Sequence, residues 1–156
     1  MNITPCRDPK TIAKLNKPVQ DLHHSLYPDQ FKPFHMEEVT AYFKRTMEKD
    51  NHYFYICLEE GQALGYVWYE DRIKSESAFK YASHSFYINH MSILHDHRGK
   101  GVGKKLVGFV DQARKAGASR VGLDFWNDNM QAGQAFERMG FRPEGHVAYM
   151  NVEEEK

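Results

Sequence analysis

Cysteine is scarce: Cys6 and Cys57 are the only two in 156 residues, too few and too distant for a metal or redox motif. They read as ordinary thiols, not as a disulfide. Long hydrophobic runs are missing too, and the opening stretch MNITPCRDPK has no apolar core of a secretory leader. A cytoplasmic protein without a membrane partner is the expectation. Neither charge is in excess, since 21 Lys and Arg balance 21 Asp and Glu. No long-range pull on nucleic acid is therefore expected, and any phosphate binding must be local. Repeats and low-complexity tracts are lacking apart from the short acidic end EEEK.

What is present is 41% apolar and 13% aromatic residues, enough for one soluble globular domain over residues 1–156. Ile12, Leu15, Val19, Leu22 and Leu26 recur at helical spacing, with Pro18 expected to kink or divide the helix. After the loop YPDQFKPF, the residues Met36, Val39, Phe43 and Met47 mark the face of a second helix, closed by the polar EKDN. The period then changes. HYFYICLEEGQALGYVWYE is aromatic and β-branched on both sides of Glu60-Gly61, which predicts a hairpin, and residues 71–80 read as a loop. A long strand through YASHSFYINHMSIL follows.

That strand runs into HDHRGKGVGKKL, with three glycines and four cations, and Val102, Leu106, Phe109, Val110 and Ala113 continue as an amphipathic helix. Val121, Leu123 and Phe125 then alternate as a strand, completing a β-α-β unit. Ala132, Ala135, Phe136 and Met139 mark a last short helix before Gly140, and RPEGHVAYMNV is expected to form a closing hairpin. A strand ending in glycines that open a helix leaves backbone N–H groups exposed at the positive end of the helix dipole, a place for phosphate. Arg98, Lys100, Lys104 and Lys105 add charge. Two phosphate motifs fail on the letters. Arg98 and Lys105 stand where a Walker loop needs its first glycine and its Ser or Thr, and a dinucleotide fingerprint lacks its third glycine.

The pattern R-x-x-G-x-G does match, as Arg98, Gly99, Lys100, Gly101, Val102 and Gly103. With the strand before it, the helix after it and the block LDFWNDNMQAGQAFERMGF, the segment from about Tyr87 to Phe141 resembles the GNAT N-acetyltransferase superfamily. The resemblance implies a mixed α/β fold: a twisted, mostly antiparallel sheet with one parallel β-α-β unit and about four helices. It also implies acetyl-CoA as acetyl-donating cosubstrate, its pyrophosphate on the amides of Arg98 through Lys104 and its pantetheine arm along Met91, Ser92 and Ile93. Asn129 and Phe136 fall at two further donor-binding places. Phe136 stands where relatives carry a tyrosine that protonates the departing thiolate, and a phenyl ring has no proton to give. The proton must come from water or from another side chain such as Tyr149, or no specific protonation step is needed.

An acceptor amine needs a base, because an ammonium has no lone pair. Relatives carry a carboxylate nine residues before the motif arginine, and here that place is Asn89. His90, with an ordinary pKa near 6.5, is the adjacent candidate, although strand alternation would let at most one of the two face the substrate. Glu70, His84 and Asp124 stay open. The family habit of walling the acceptor site with the N-terminal helices points to His23, His24, Tyr27 and Phe31, which read equally as a buried helix junction. No metal site is expected, since neither His95–His97 nor His23-His24 has partners at ligand spacing. The implied reaction is direct transfer to a primary amine in a ternary complex. A small molecule is the expected acceptor, with a protein or peptide amine, or a non-catalytic acyl-CoA sensor, as alternatives. The resemblance leaves a homodimer open as the assembly.

Overall fold

The computed structural model describes residues 1–153, so most of the acidic end lies outside them. The chain divides into two compact units, residues 1–124 and the part from Phe125 onward. In the first, β1 (Asn2–Pro5) leads into α1 (Pro9–Leu26) and α2 (Met36–Met47), followed by β2 (His52–Glu59), β3 (Gln62–Lys74), β4 (Ser83–Ile93), α3 (Val102–Arg114) and β5 (Arg120–Leu123). The sheet order is β1-β2-β3-β4-β5, antiparallel except for the parallel β4–β5 pair. This is the mixed sheet expected from the sequence, with β1 as an edge strand the sequence reading passed over.

Local chemistry sets the helix ends. The Asp8 carboxylate accepts from the Lys10 amide at 3.2 Å and the Thr11 hydroxyl at 2.7 Å, with Pro9 in the first turn of α1. The helix then runs unbroken through Pro18, where a kink or division was expected. An interior proline costs about 3 kcal/mol. Burial of Ile12, Ala13 and Leu15 and the bond from the Gln20 amide to the Lys32 carbonyl, 2.7 Å, hold the turns on either side. Glu60 and Gly61, with φ of 50° and 77°, make the tight β2–β3 turn, whose twist suits two short-linked strands. Strand β3 continues through residues 71–74, predicted as loop, because those residues still find ladder partners in β4.

Two helical layers cover the sheet. On one face Phe43 of α2 meets Phe54, Tyr66, Trp68 and His90 edge-on, at centroid distances of 5.7, 6.2, 6.1 and 6.2 Å. On the other, Phe109 of α3 lies 4.4 Å from Tyr55. Strand β4 keeps β5 as a neighbour only from Ser85↔Arg120 to Ile88↔Leu123, then runs on to Ile93 without it.

The second unit is built on α4 (Met130–Arg138). The Asn129 side chain caps it by accepting from the Ala132 amide at 3.3 Å. Gly140, at φ 99°, turns the chain out of it, with the Phe141 amide bonded back to the Phe136 carbonyl at 3.0 Å and the two rings 5.9 Å apart, a Schellman-type ending. Residues 141–153 form no helix or strand, contrary to the expected hairpin. Val147, Tyr149, Met150 and Val152 are 79–90% exposed, so no ladder or buried face holds that segment extended.

Candidate active site

The sequence puts Asn89 and His90 side by side on β4, where alternation would send them to opposite faces. A register shift opposite Trp68 and Tyr69 changes that. His90 pairs with Trp68 and Ile88 with Tyr69, so Asn89 is the extra residue of a β-bulge. Both side chains now turn to the face that carries Tyr66, Trp68 and Glu70. The Asn89 amide donates to Glu70 Oε1 at 3.4 Å, and the His90 ring lies 4.8 Å from the Trp68 ring. The expectation that only one of the pair faces that side is thereby corrected.

Each bulge residue is tied down. Glu70 Oε1 also accepts from Arg72 Nε at 2.7 Å, and its Oε2 lies 3.5 Å from His52 Nε2. Burial raises the Glu70 pKa, but the Arg72, Asn89 and His52 partners together outweigh it, and the carboxyl is held below its ordinary value. The Arg72 guanidinium stacks 3.6 Å from the Tyr87 ring centre, and the Tyr87 hydroxyl donates to Asp124 Oδ2 at 2.5 Å. Burial, with the Asp124 bond and charge, pushes the Tyr87 phenol up to about 12.

His90 sits at the end of a buried relay. Asn16 Nδ2 donates to the Tyr66 hydroxyl at 3.0 Å, and that hydroxyl lies 3.2 Å from His90 Nδ1. Tyr66 is wholly buried, which raises its pKa, so it keeps its proton. Of the two partners of this buried hydroxyl, the Asn16 amide nitrogen can only donate, so we assign the hydroxyl proton to Nδ1 and the imidazole hydrogen to Nε2. Burial first, and the charge of His23 second, lower the His90 pKa to about 4, against the opposing pull of Asp124. Burial thus moves His90 well away from the ordinary value near 6.5 expected from the sequence. His23 is lowered by burial too, with Asp124 again opposing, so two histidines and one carboxylate lie within electrostatic reach of one another.

The glycine turn has the form the sequence predicted. Gly99 and Gly101 take φ of 74° and 86°, a region glycine enters without strain, and a Cβ at either would meet nothing within 4 Å. Gly101 is the N-cap of α3 and supplies no side-chain cap, so the first N–H groups of the helix stay open. Arg98 Nε donates to the Ile93 carbonyl at 3.3 Å, tying the turn to the strand end. Lys100 and Lys104 are exposed. Lys105 donates to the Met1 carbonyl, so its charge is spent away from the turn. Val102 and Gly103 are buried and offer only their backbone. From Asn89 to Ile93 the edge of β4 that faced β5 is unpaired among the described strands. The buried Ser92 Oγ has no partner among the described residues. Open amides, bare glycines and a free strand edge in continuous sequence fit an extended ligand arm that leads to a pyrophosphate.

The other expected residues divide. His24 Nδ1 bonds the Phe31 carbonyl at 2.7 Å, and Phe31 packs on His23 at 4.8 Å and on Tyr27 at 6.4 Å. Thus His24, Tyr27 and Phe31 build the α1–α2 junction, while His23 also reaches the His90 charge cluster. His84 bonds Asp71. Asn129 and Phe136 lie in the second unit, the first as a helix cap and the second against Phe125 at 5.8 Å. Tyr149 is 90% exposed and outside any element. A cavity of about 540 Å³ opens between α1, α2 and β4, with Asn16, Lys32, Glu38, Tyr42, Arg45 and His90 in its wall. None of the four residues named from sequence lines it, because they face the junction. The signal that would have found it is the helical repeat Glu38, Tyr42, Arg45 on α2. No group of three metal-ligating side chains occurs among the described residues, and no helix among them is long and apolar enough to cross a membrane.

Comparison with known proteins gives this geometry its relatives. An uncharacterized N-acetyltransferase of Methanocaldococcus jannaschii is 29% identical over 106 residues, 64% of this chain and 43% of that protein. The chain thus aligns with less than half of that relative's length. In structure, the tetramutant of the BH1408 protein from Bacillus halodurans superposes with a TM-score of 0.91 at 17% identity, over 97% of this chain and all of that one. The aminoglycoside N-acetyltransferase AAC(6')-Iy, solved in complex with CoA, superposes with a TM-score of 0.69 at 18% identity, over 97% of this chain and 93% of that one. The profile of the acetyltransferase (GNAT) family matches residues 19–141, most of the chain. By that match, and by a fold built on a glycine turn and a splayed strand pair, the chain belongs to the acetyltransferase (GNAT) family.

Proposed function

We propose that the protein transfers the acetyl group of acetyl-CoA to the primary amine of a small molecule, by direct attack within one ternary complex. The observation that carries this reading is the parting of β4 from β5 after Ile88↔Leu123, which frees a strand edge running from His90 to the open amides before α3. CoA bound to AAC(6')-Iy, a protein of the same fold, supports that donor. Met91, Ser92 and Ile93 hold the pantetheine arm through their backbone, and the amides from Arg98 to Lys104 hold the pyrophosphate, with Lys100, Lys104 and the Arg98 guanidinium as counter-charge. When bound, acetyl-CoA supplies an acyl group already activated as a thioester.

The chain's own residues then divide the work. His90, neutral at pH 7 and with its hydrogen on Nε2, is a hydrogen-bond donor and not a base. It steadies the charge that develops on the carbonyl oxygen during attack. Asp124, a carboxylate within electrostatic reach of both His23 and His90, takes the proton from the acceptor ammonium, directly or through water. Asn89 and Glu70 fix the bulge that aims His90. Phe136 offers no proton, so the departing thiolate takes up, through water, the proton that the acceptor nitrogen sheds as the amide forms.

The test is thiol release from acetyl-CoA by the purified chain, with and without a panel of primary amines. Amine-dependent release together with the acetylated amine by mass supports the reading, and release no faster with any amine than without contradicts it. Phe136 favours one rival, an acyl-CoA-binding sensor. Tight CoA binding with no turnover, and turnover restored by Phe136→Tyr, would establish that rival.

A further inference from the structure

The cavity beside His90 has a charge pattern that bears on the acceptor, and the inference from it rests on the amine-transfer reading above. Apart from the Tyr42 phenol, four ionisable side chains of α2 and the loop before it line this space: Lys32, His35, Glu38 and Arg45. Lys32 and Glu38 pair at 2.7 Å and cancel. The His35 Nδ1 accepts the Glu38 amide at 3.3 Å as the cap of α2. Arg45 has no ion-pair partner among the described residues, and it is exposed.

The wall between Arg45 and His90 is aromatic. Tyr42, 47% exposed, stands one helical turn before Arg45, its ring 5.8 Å from Phe43 and 6.0 Å from Trp68, while Phe43 touches His90. An acceptor that places its amine at His90 therefore lays its body on an aromatic surface and its far end beside an uncompensated guanidinium. A polycationic amine would bring like charge to that end, with no free carboxylate in the wall to receive it. A guanidinium fork instead matches a carboxylate or phosphate with two parallel hydrogen bonds.

We infer that the acceptor is an amine that also carries an anionic group, carboxylate or phosphate, bound by Arg45 at the far end of the α1–α2–β4 cavity with the molecule's body against Tyr42. This sets the chain apart from an aminoglycoside acetyltransferase, whose acceptors carry several ammonium groups.

The chain with acetyl-CoA is assayed against matched probes: 2-phenylethylamine, 4-(2-aminoethyl)benzoate, tyramine O-phosphate, spermidine and kanamycin. The two anionic arylamines are expected to exceed 2-phenylethylamine in kcat/KM by tenfold or more, their ratio showing whether carboxylate or phosphate is the better fit. Arg45→Gln should shrink that advantage at least fivefold, and Lys44→Gln, on the neighbouring position of α2, should leave the ratio as it is. Equal kcat/KM for charged and neutral arylamines, preference for spermidine or kanamycin, or an unchanged ratio in Arg45→Gln would overturn the inference. Should no probe release thiol although CoA binds, the transfer reading fails by itself. The anion site is then judged by probe binding: tenfold tighter binding of the benzoate than of 2-phenylethylamine, lost in Arg45→Gln, upholds it, and equal binding overturns it.

Discussion

The Tyr66 hydroxyl and His90 Nδ1 stand 3.2 Å apart, with Asn16 donating to the same hydroxyl from behind. This contact fixes which nitrogen of His90 carries the proton, and hence what His90 offers the cavity. Nitrogen-detected NMR of the imidazole is expected to find the Nε2–H tautomer at pH 7 and a pKa near 4. In Tyr66→Phe the fixed donor is gone and the tautomers should mix, with a loss of about 1–3 kcal/mol from the stranded Asn16 amide. A predominantly Nδ1–H ring in the native protein would contradict the assignment.

The same burial makes stability depend on pH. The folded His90 pKa, about 4, lies below the ordinary value of 6.5. The unfolded chain therefore binds more protons between those values, and stability is lost as pH falls through that window. His23 and His52, both lowered chiefly by burial, act with the same sign, and Glu70, also lowered, adds to the loss below its ordinary carboxylate range. Urea midpoints at pH 7 and pH 5 should differ more for the native chain than for His90→Gln. Equal differences would remove His90 from this role.

The bulge is a coupled device. Asn89 and Glu70 share a hydrogen bond and Arg72 braces the carboxylate. Glu70→Ala and Asn89→Ala are each expected to lower kcat/KM about tenfold, and the double variant little further, since either change already releases the bulge. Additive losses in the cycle would show that the two residues act independently.

Gly65 is where β3 and β4 come closest. A Cβ there would lie 2.6 Å from the Ser92 carbonyl oxygen, backbone that yields only by parting the strands. Gly65→Ala should destabilise by about 1–3 kcal/mol, visible as a lower thermal midpoint. A midpoint unchanged within a degree would mean that the strand pair has room to spare.

The glycine turn and the β-α-β unit were legible in the sequence because their signals are local: Gly99 and Gly101 need positive φ, and Val102, Leu106 and Val110 repeat at helical spacing. The α1–α2 face of the core was legible for the same reason. The bulge was not, because Asn89-His90 reads as ordinary alternation, and only the pairing with Trp68 and Tyr69 across the sheet shows the extra residue. Pro18 misled because tertiary burial outweighed its local cost. Strand β1 was missed because four residues ending in Pro5 carry no periodicity, and the hairpin expected over residues 142–152 lacks the partner that propensity cannot supply. The α1–α2 loop does contribute to the cavity wall, through Lys32, Pro33 and His35, but α2 supplies the larger share, and the charge balance appears only once Lys32 and Glu38 are seen to pair.

Titration of nitrogen-15-labelled protein with CoA tests the donor site directly, followed in the backbone amide spectrum and repeated with Gly101→Val. In the native chain, shifts are expected at Met91 to Ile93 and at Gly99 to Lys104. In the variant, affinity should fall at least tenfold although the new side chain meets no protein atom within 4 Å of its Cβ. No binding by the native chain, shifts confined to other segments, or unchanged affinity in Gly101→Val would contradict a donor lying along the free edge of β4 and the glycine turn.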